Sequence, residues 1–174
     1  MTILSLHTDN PLIDGRQSAR AMMVRRGVQR FLAESRHAVL AEMTLASGRR
    51  ADLVALSPKG EIWIIEIKTS IEDFRSDRKW PSYRDFCDRL FFASHEGVPR
   101  GIFPDDCGLL LADGYGAALL REAPEHRLAP STRKSVSLAF ARLAAQRLTL
   151  AEWATDRDPE TGAAIRGIVS GAAD

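Results

Sequence analysis

The sequence has 174 residues, of which 45% are hydrophobic, and its formal net charge is +1 at pH 7. This length fits one domain, and this apolar content allows a buried core. No apolar run reaches the roughly 18 residues of a membrane span, and the N-terminus lacks the basic start and apolar block of a secretory signal. We therefore expect a cytoplasmic protein without membrane contact, with Cys87 and Cys107 as free thiols.

Three regions are expected: an irregular segment over 1–16, a domain over 17–150 and a flexible tail over 151–174. The domain begins with a helix over 17–35, because Val24, Val28 and Leu32 recur at helical spacing. Strands are predicted over 38–46, 50–56 and 61–68. A further helix starts near Ile71, with Ser70 or Thr69 as its cap, and stops before a proline at position 81.

The second half of the domain alternates again. The pattern predicts a short helix over 82–87, a strand over 88–94 and a loop rich in glycine and proline over 96–106. Strands follow over 107–113 and 117–122, and an amphipathic helix runs over 131–148. Asp88 is expected to cap its strand or to pair with an arginine. This order predicts an α/β sandwich with a mixed central β-sheet flanked by helices.

Charged residues interrupt the two apolar strands on either side of the turn Pro58-Lys59-Gly60. A three-residue loop of this composition fits a type I turn followed by a left-handed glycine. The resulting register sets Asp52 opposite Glu66, and the two-residue period of a strand brings Lys68 to the same face. The sequence therefore predicts two carboxylates and one ammonium in a single place.

Two carboxylates this close repel each other, and a divalent cation relieves the repulsion. Oxygen ligands suit Mg²⁺ or Mn²⁺, and such an ion can polarise a phosphate and lower the pKa of a bound water. Lys68 is then suited to position or deprotonate that water or to offset developing charge. An internal salt-bridge cluster without a metal is an alternative reading of the same residues.

The spacing of Asp52, thirteen residues, then Glu66-Ile67-Lys68 resembles the motif of the PD-(D/E)XK phosphodiesterase superfamily. Longer stretches, among them "GRRADLVAL", "IEIKTSIEDFRSDRKWPSYRDFCDRLFFA" and "GLLLADGYGAALLREAP", resemble the bacterial MmcB-like family, described as DNA repair proteins within that superfamily. The resemblance covers about residues 18 to 148.

The resemblance implies a restriction-endonuclease-like fold with an αβββαβ core. Asp52, Glu66 and Lys68 would be catalytic, with Asp52, Glu66 and the Ile67 carbonyl as metal ligands. The proline that the superfamily places before the aspartate is Ala51 here. Some members add an acidic ligand from the first helix or strand. Glu34 and Glu42 are the candidates here, and Glu42 is the better one, with a solvent-facing glutamate as the alternative reading.

Basic residues predict contacts with DNA. Six arginines and one acid lie between residues 16 and 36, a stripe that suits a phosphate backbone or simply forms a solvated helix face. Arg75, Arg78 and Lys79 recur at helical spacing, and Arg49 and Arg50 precede the first carboxylate. Tyr83 is placed to stack on a base or to pack against the sheet, as is Trp80.

The function expected from these features is DNA repair by a metal-dependent DNA endonuclease or exonuclease. A non-catalytic DNA-binding or scaffold module on the same fold is the alternative, and a purely structural charge cluster is a third reading. The expected partners are DNA, another DNA repair protein and a second copy of the chain in a homodimer.

Overall fold

The computed structural model describes residues 18–155, and its largest element is a six-stranded sheet. The strands lie side by side in chain order: β1 (Ala38–Thr44), β2 (Arg50–Leu56), β3 (Ile62–Ile67), β4 (Arg89–Ser94), β5 (Gly108–Ala112) and β6 (Ala117–Arg121). Strand β4 runs parallel to β3 and β5, whereas the other neighbours are antiparallel. The predicted mixed sheet flanked by helices is confirmed.

The helices are α1 (Ala19–Glu34), α2 (Ile71–Ser76) and α3 (Pro130–Thr155). Two 3₁₀ segments cover Trp80–Phe86 and Arg100–Ile102. The chain divides into two compact units, one ending at Val136 and the other starting at Ser137. The sheet belongs to the first unit, and the described part of the second is the rest of α3. Among the described residues, no helix is long and apolar enough to cross a membrane.

The β2–β3 hairpin has the predicted turn. Gly60 adopts a left-handed φ of 82°, and the Ser57 backbone N–H donates to the Glu61 carbonyl oxygen at 2.9 Å. Val54 pairs with Ile64, as the loop type requires. The expected register is therefore confirmed, and its continuation sets Asp52 opposite Glu66.

The two faces of the sheet are covered by different elements. Phe91 belongs to the core cluster in which α1 packs Val24, Val28 and Leu32 against the sheet. Phe92, the next residue, points the other way and contacts Phe74, Trp80 and Phe103. Because strand side chains alternate, Glu66 and Asp52 lie on the same face as Phe92. The carboxylates of Asp52 and Glu66 thus lie on the sheet face that is covered by α2 and the 3₁₀ segment Trp80–Phe86.

Helix α2 begins where predicted and ends earlier. The Ser70 hydroxyl accepts a hydrogen bond from the Asp73 backbone N–H at 3.0 Å, so Ser70 is the N-cap. The helix ends at Ser76 because Asp77 leaves helical geometry, with φ −86° and ψ 86°. Residues 77–79 form a short connection to the 3₁₀ segment Trp80–Phe86.

The termini differ from the expected boundaries in one respect. Helix α3 continues to Thr155, so the first residues of the region expected as a flexible tail are helical. The expected irregular segment over 1–16 and the tail beyond residue 155 lie outside the described residues.

Candidate functional site

Asp52 and Glu66 form an interlocked pair: each carboxylate accepts a hydrogen bond from a backbone N–H of the strand that carries the other. The Asp52 backbone N–H donates to Glu66 Oε1 at 3.2 Å, and the Ile67 backbone N–H donates to Asp52 Oδ2 at 2.8 Å. The side chain of Glu66 is 4% exposed. These bonds orient both carboxylates, and they leave Asp52 Oδ1 and Glu66 Oε2 outside the interlock.

Lys68 lies between two acids at unequal distances. Its Nζ is 2.7 Å from Asp77 Oδ2 and 3.8 Å from Glu66 Oε2. Asp77 is in turn fixed, because its Oδ1 accepts a hydrogen bond from the Lys79 backbone N–H at 3.0 Å. Asp77 is not among the site residues expected from the sequence, because the predicted helix ran through it.

The protonation of the site follows from burial and charge. Burial raises the pKa of Asp52. Burial, together with the charge of Asp52, raises the pKa of Glu66 well above its ordinary value. Burial alone would lower the pKa of Lys68, but the hydrogen bond to Asp77 and the Glu66 charge raise it overall. The amine is therefore held as an ammonium. In this form it carries a positive charge and donates hydrogen bonds, and it cannot act as a base.

A cleft of about 300 Å³ opens beside these groups. Asp52, Glu66, Lys68 and Thr69 line it, and it is bordered by Ser18, the N-cap of α1, and by Ala21 within that helix. The Asp73 carboxylate also faces the cleft while accepting a hydrogen bond from the Thr69 backbone N–H at 3.0 Å. The predicted catalytic trio thus shares one accessible cavity.

Glu42 lies across from Asp52 in the β1–β2 register, but its backbone is unusual. It has a left-handed φ of 52°, which costs on the order of 1 kcal/mol for a non-glycine residue. Its carboxylate contacts Arg25 at 3.4 Å and Arg50 at 3.5 Å. Glu42, which was expected as a further acidic ligand, is therefore already paired with two arginines.

The donor set at the cleft fits a hard cation. In the described part of the chain, no group of three or more His, Cys, Asp or Glu side chains is arranged to hold a metal ion. Mg²⁺ often uses only one or two carboxylates and completes its shell with water and substrate phosphate. Asp52, Glu66 and the Ile67 carbonyl match that smaller set.

Most of the predicted DNA-binding residues are at the surface. Arg75, Arg78 and Lys79 are exposed, and they flank Asp77 in the chain. Arg49 donates to the Lys79 carbonyl oxygen at 2.9 Å, which connects it to the same loop. Arg50 is half-exposed, with its side chain 48% accessible, and contacts Glu42.

The aromatic residues of this region pack inward. Tyr83 is 7% exposed, and its hydroxyl donates to the Arg50 carbonyl oxygen at 3.0 Å. The Trp80 ring meets the edge of Phe92 with centroids 5.3 Å apart. The packing alternative therefore describes both rings, and a buried Tyr83 cannot stack on a base in this conformation.

Comparisons with known proteins give a consistent result. Residues 8–155 match the family model described as "DNA repair protein MmcB-like". A solved structure, described as the SPO1766 protein of unknown function from Silicibacter pomeroyi, is 40% identical and superposes with a TM-score of 0.76. The match covers 88% of this chain and 99% of that one. Among curated proteins, none matches this sequence significantly.

Proposed function

The chain belongs to the MmcB-like family of DNA repair proteins, and from this premise we propose that it hydrolyses phosphodiester bonds of DNA with a divalent cation. The observation that carries the proposal is the interlocked pair of Asp52 and Glu66 beside Lys68. A purely structural salt bridge needs one acid for one amine, whereas this cluster adds Asp77 to the carboxylates of Asp52 and Glu66. The surplus of negative charge favours a cation site.

The proposed ligands are Asp52, Glu66 and the Ile67 carbonyl, with Mg²⁺ or Mn²⁺ as the cation. When bound, such an ion supplies Lewis-acid polarisation of a phosphate oxygen and a lowered pKa of coordinated water. The hairpin register and the placement of the trio support membership of the PD-(D/E)XK superfamily and a restriction-endonuclease-like core. Glu42 stays outside the proposed ligand set because it contacts two arginines.

Lys68 has the role of an electrostatic partner for the phosphate. Its ammonium is stabilised by Asp77 and held at the cleft. A positioned cation of this kind stabilises the negative charge that builds on phosphate oxygens in the transition state. A basic rim surrounds the connection over residues 77–79 and suits contacts with the DNA backbone. It consists of Arg49, Arg75, Arg78 and Lys79.

A cleavage assay tests the proposal. Purified protein with Mg²⁺ or Mn²⁺ is incubated with single-stranded, duplex, flap, junction and mismatch DNA. We expect cleavage of at least one form, reduced about 100-fold or more in Asp52→Ala and Lys68→Ala. Lys59→Ala is the matched control, because this lysine is exposed in the β2–β3 turn away from the cleft.

Equal cleavage by wild type, Asp52→Ala and Lys68→Ala would contradict the proposal. The alternative, a non-catalytic DNA-binding or scaffold module, predicts a different pattern. Binding would weaken steeply with salt because basic side chains displace counterions. It would need no divalent ion, and no substrate would be cut.

A further inference from the structure

A second cleft lies beside the candidate active site at the same end of the sheet. Because β3, β4 and β5 are parallel, their carboxyl ends meet at one edge, where α/β sheets commonly bind ligands. Lys68, His95 and Asp113 follow these strands in turn. The second cleft, of about 740 Å³, is lined by His95, Glu96, Asp113 and Tyr115.

His95 connects the two clefts. The Gly97 backbone N–H donates to His95 Nδ1 at 3.0 Å, which leaves the ring proton on Nε2. That nitrogen donates to the Thr69 carbonyl oxygen at 3.1 Å, and Thr69 lines the candidate active site. Neighbouring strands are about 5 Å apart, so the two clefts are close enough for one DNA strand to reach both.

Tyr115 stands at the tip of the β5–β6 turn with 82% of its surface exposed. The turn beneath it is fixed. Asp113 Oδ1 accepts hydrogen bonds from the backbone N–H groups of Tyr115 at 2.7 Å and Gly116 at 2.9 Å. Arg30 of α1 donates to the Tyr115 carbonyl oxygen at 3.3 Å.

Gly27 brings the helix directly against this turn. A Cβ atom at position 27 would collide with the carbonyl oxygens of Asp113 and Gly116. Helix α1 and the turn therefore touch backbone to backbone. The backbone that carries Tyr115 is therefore fixed, so that only the two side-chain torsions of the ring lose freedom when it meets a ligand.

The charges around Tyr115 suit nucleic acid. Arg26 and Arg30, one helical turn apart on α1, are exposed on the same side as the turn. Proteins that bind single strands combine basic residues for the backbone with aromatic rings for the bases. Inside the cleft, the Glu96 carboxylate repels phosphate but can accept a hydrogen bond from the amino group of a base.

We propose that Tyr115 stacks on an unpaired base of the DNA, and that the cleft bordered by Glu96 and Asp113 receives that base. The backbone of the same strand passes along the exposed arginines of α1 toward Lys68. This inference rests on the proposed function and specifies its substrate class: DNA with unpaired nucleotides next to the bond that is cut.

The test uses full-length Asp52→Ala protein, so that the DNA stays intact. A single-stranded oligonucleotide with one 2-aminopurine reports stacking by fluorescence quenching, and a duplex of the same sequence is measured in parallel. Adding Tyr115→Ala should weaken single-strand binding about 5- to 100-fold and abolish the quenching. Tyr115→Phe should retain both, because its ring is unchanged.

Leu120→Ala is the matched control, since Leu120 is a large exposed residue of β6, in the same hairpin. It should leave both kinds of binding unchanged. Equal single-strand affinity and quenching in Tyr115→Ala and Tyr115→Phe would overturn the stacking proposal, as would absence of single-strand binding in the parent protein. If the stacking proposal fails but the wild type still cuts DNA, the proposed nuclease function stands. If single strands bind through Tyr115 but no DNA is cut, the stacking proposal is supported and the nuclease function is contradicted.

Discussion

Lys68 forms ion pairs with two acids, and the shorter contact is with the acid that lies outside the sequence motif. The Lys68 Nζ lies 2.7 Å from Asp77 Oδ2 and 3.8 Å from Glu66 Oε2. Although burial opposes ionisation, the hydrogen bond from Lys68 lowers the pKa of Asp77. Asp77 thus positions a protonated Lys68 at the cleft and prevents its amine from moving into direct contact with Glu66.

Replacing Asp77 therefore changes the reaction more than the binding of DNA. In Asp77→Asn, the lysine loses its charged partner and shifts toward Glu66. Misplacement of about 1 Å can cost roughly 100-fold in rate, so we expect kcat to fall about 10- to 100-fold. KM should stay near that of the wild type, because Asp77 does not belong to the basic rim. Steady-state cleavage kinetics separate the two quantities.

Glu72→Gln provides the comparison for Asp77→Asn. Glu72 is an exposed acid on α2, the helix that ends just before Asp77, and its neutral variant changes the local charge equally. Its kcat should match that of the wild type. An unchanged kcat in Asp77→Asn, or equal losses in both variants, would remove the positioning role from Asp77.

The sequence was sufficient for Asp52, Glu66 and Lys68 because their placement depends on one local turn. Pro58, Lys59 and Gly60 determine the loop, and the loop determines the register. Asp77 could not be found this way. Its approach to Lys68 requires α2 to stop at Ser76, and no breaker residue occurs there to predict the stop.

At the level of elements, Asp88 joins several parts of the first unit. It is 1% exposed, and both carboxylate oxygens contact the Arg133 guanidinium, at 2.7 and 2.8 Å. It also accepts hydrogen bonds from the backbone N–H groups of Ile62 at 2.7 Å and Leu128 at 3.0 Å. Arg133 in turn donates to the Gly60 carbonyl oxygen at 2.7 Å. The expectation that Asp88 pairs with an arginine is confirmed.

Loss of the Asp88 charge should destabilise the fold. Asp88→Asn leaves Arg133, whose side chain is 31% exposed, without its ionic partner, and losing hydrogen bonds between charged groups costs about 2 kcal/mol. We expect this loss in the free energy of unfolding, measured by urea denaturation at pH 7. Asp105→Asn is the control, because the Asp105 side chain is fully exposed beside Arg121, and solvent screening leaves such a pair with little effect on stability.

The effect of Asp88 should also depend on pH. Burial alone would raise its pKa, but Arg133 and the two backbone donors lower it overall. A lowered folded-state pKa means that the stabilisation is complete above the unfolded value of about 3.9 and is lost as the pH falls through the folded value. The difference between wild type and Asp88→Asn should therefore shrink below about pH 4. A constant difference from pH 7 to pH 3 would contradict this explanation.

Strand positions were more predictable than helix ends. Short apolar runs between turn signals located all six strands to within about two residues, since burial of a strand is visible in its own sequence. The left-handed backbone at Glu42 and its contacts with Arg25 and Arg50 depend on α1 and β2 together. Such contacts between distant segments have no local signal.

For the whole molecule, the direction of the strands concentrates the unusual features at one edge. The parallel run of β3, β4 and β5 brings Lys68, His95 and Asp113 to the same end of the sheet. Helix α1 borders both clefts there, through Ala21 in one and Met23 in the other. The mixed sheet could be predicted from the order of elements, but the second cleft could not, because Gly27 and the β5–β6 turn meet only in the folded chain.

Cation binding tests the central claim most directly, since it does not depend on finding the right DNA. Titration of Mn²⁺, followed by calorimetry or electron paramagnetic resonance, should show one ion per wild-type chain. Asp52→Asn and Glu66→Gln should each weaken binding by about 10-fold or more, because each removes a charged ligand. Glu42→Gln should bind as the wild type does. A wild type that binds no Mn²⁺, or Asp52→Asn and Glu66→Gln variants that bind it equally well, would contradict the account.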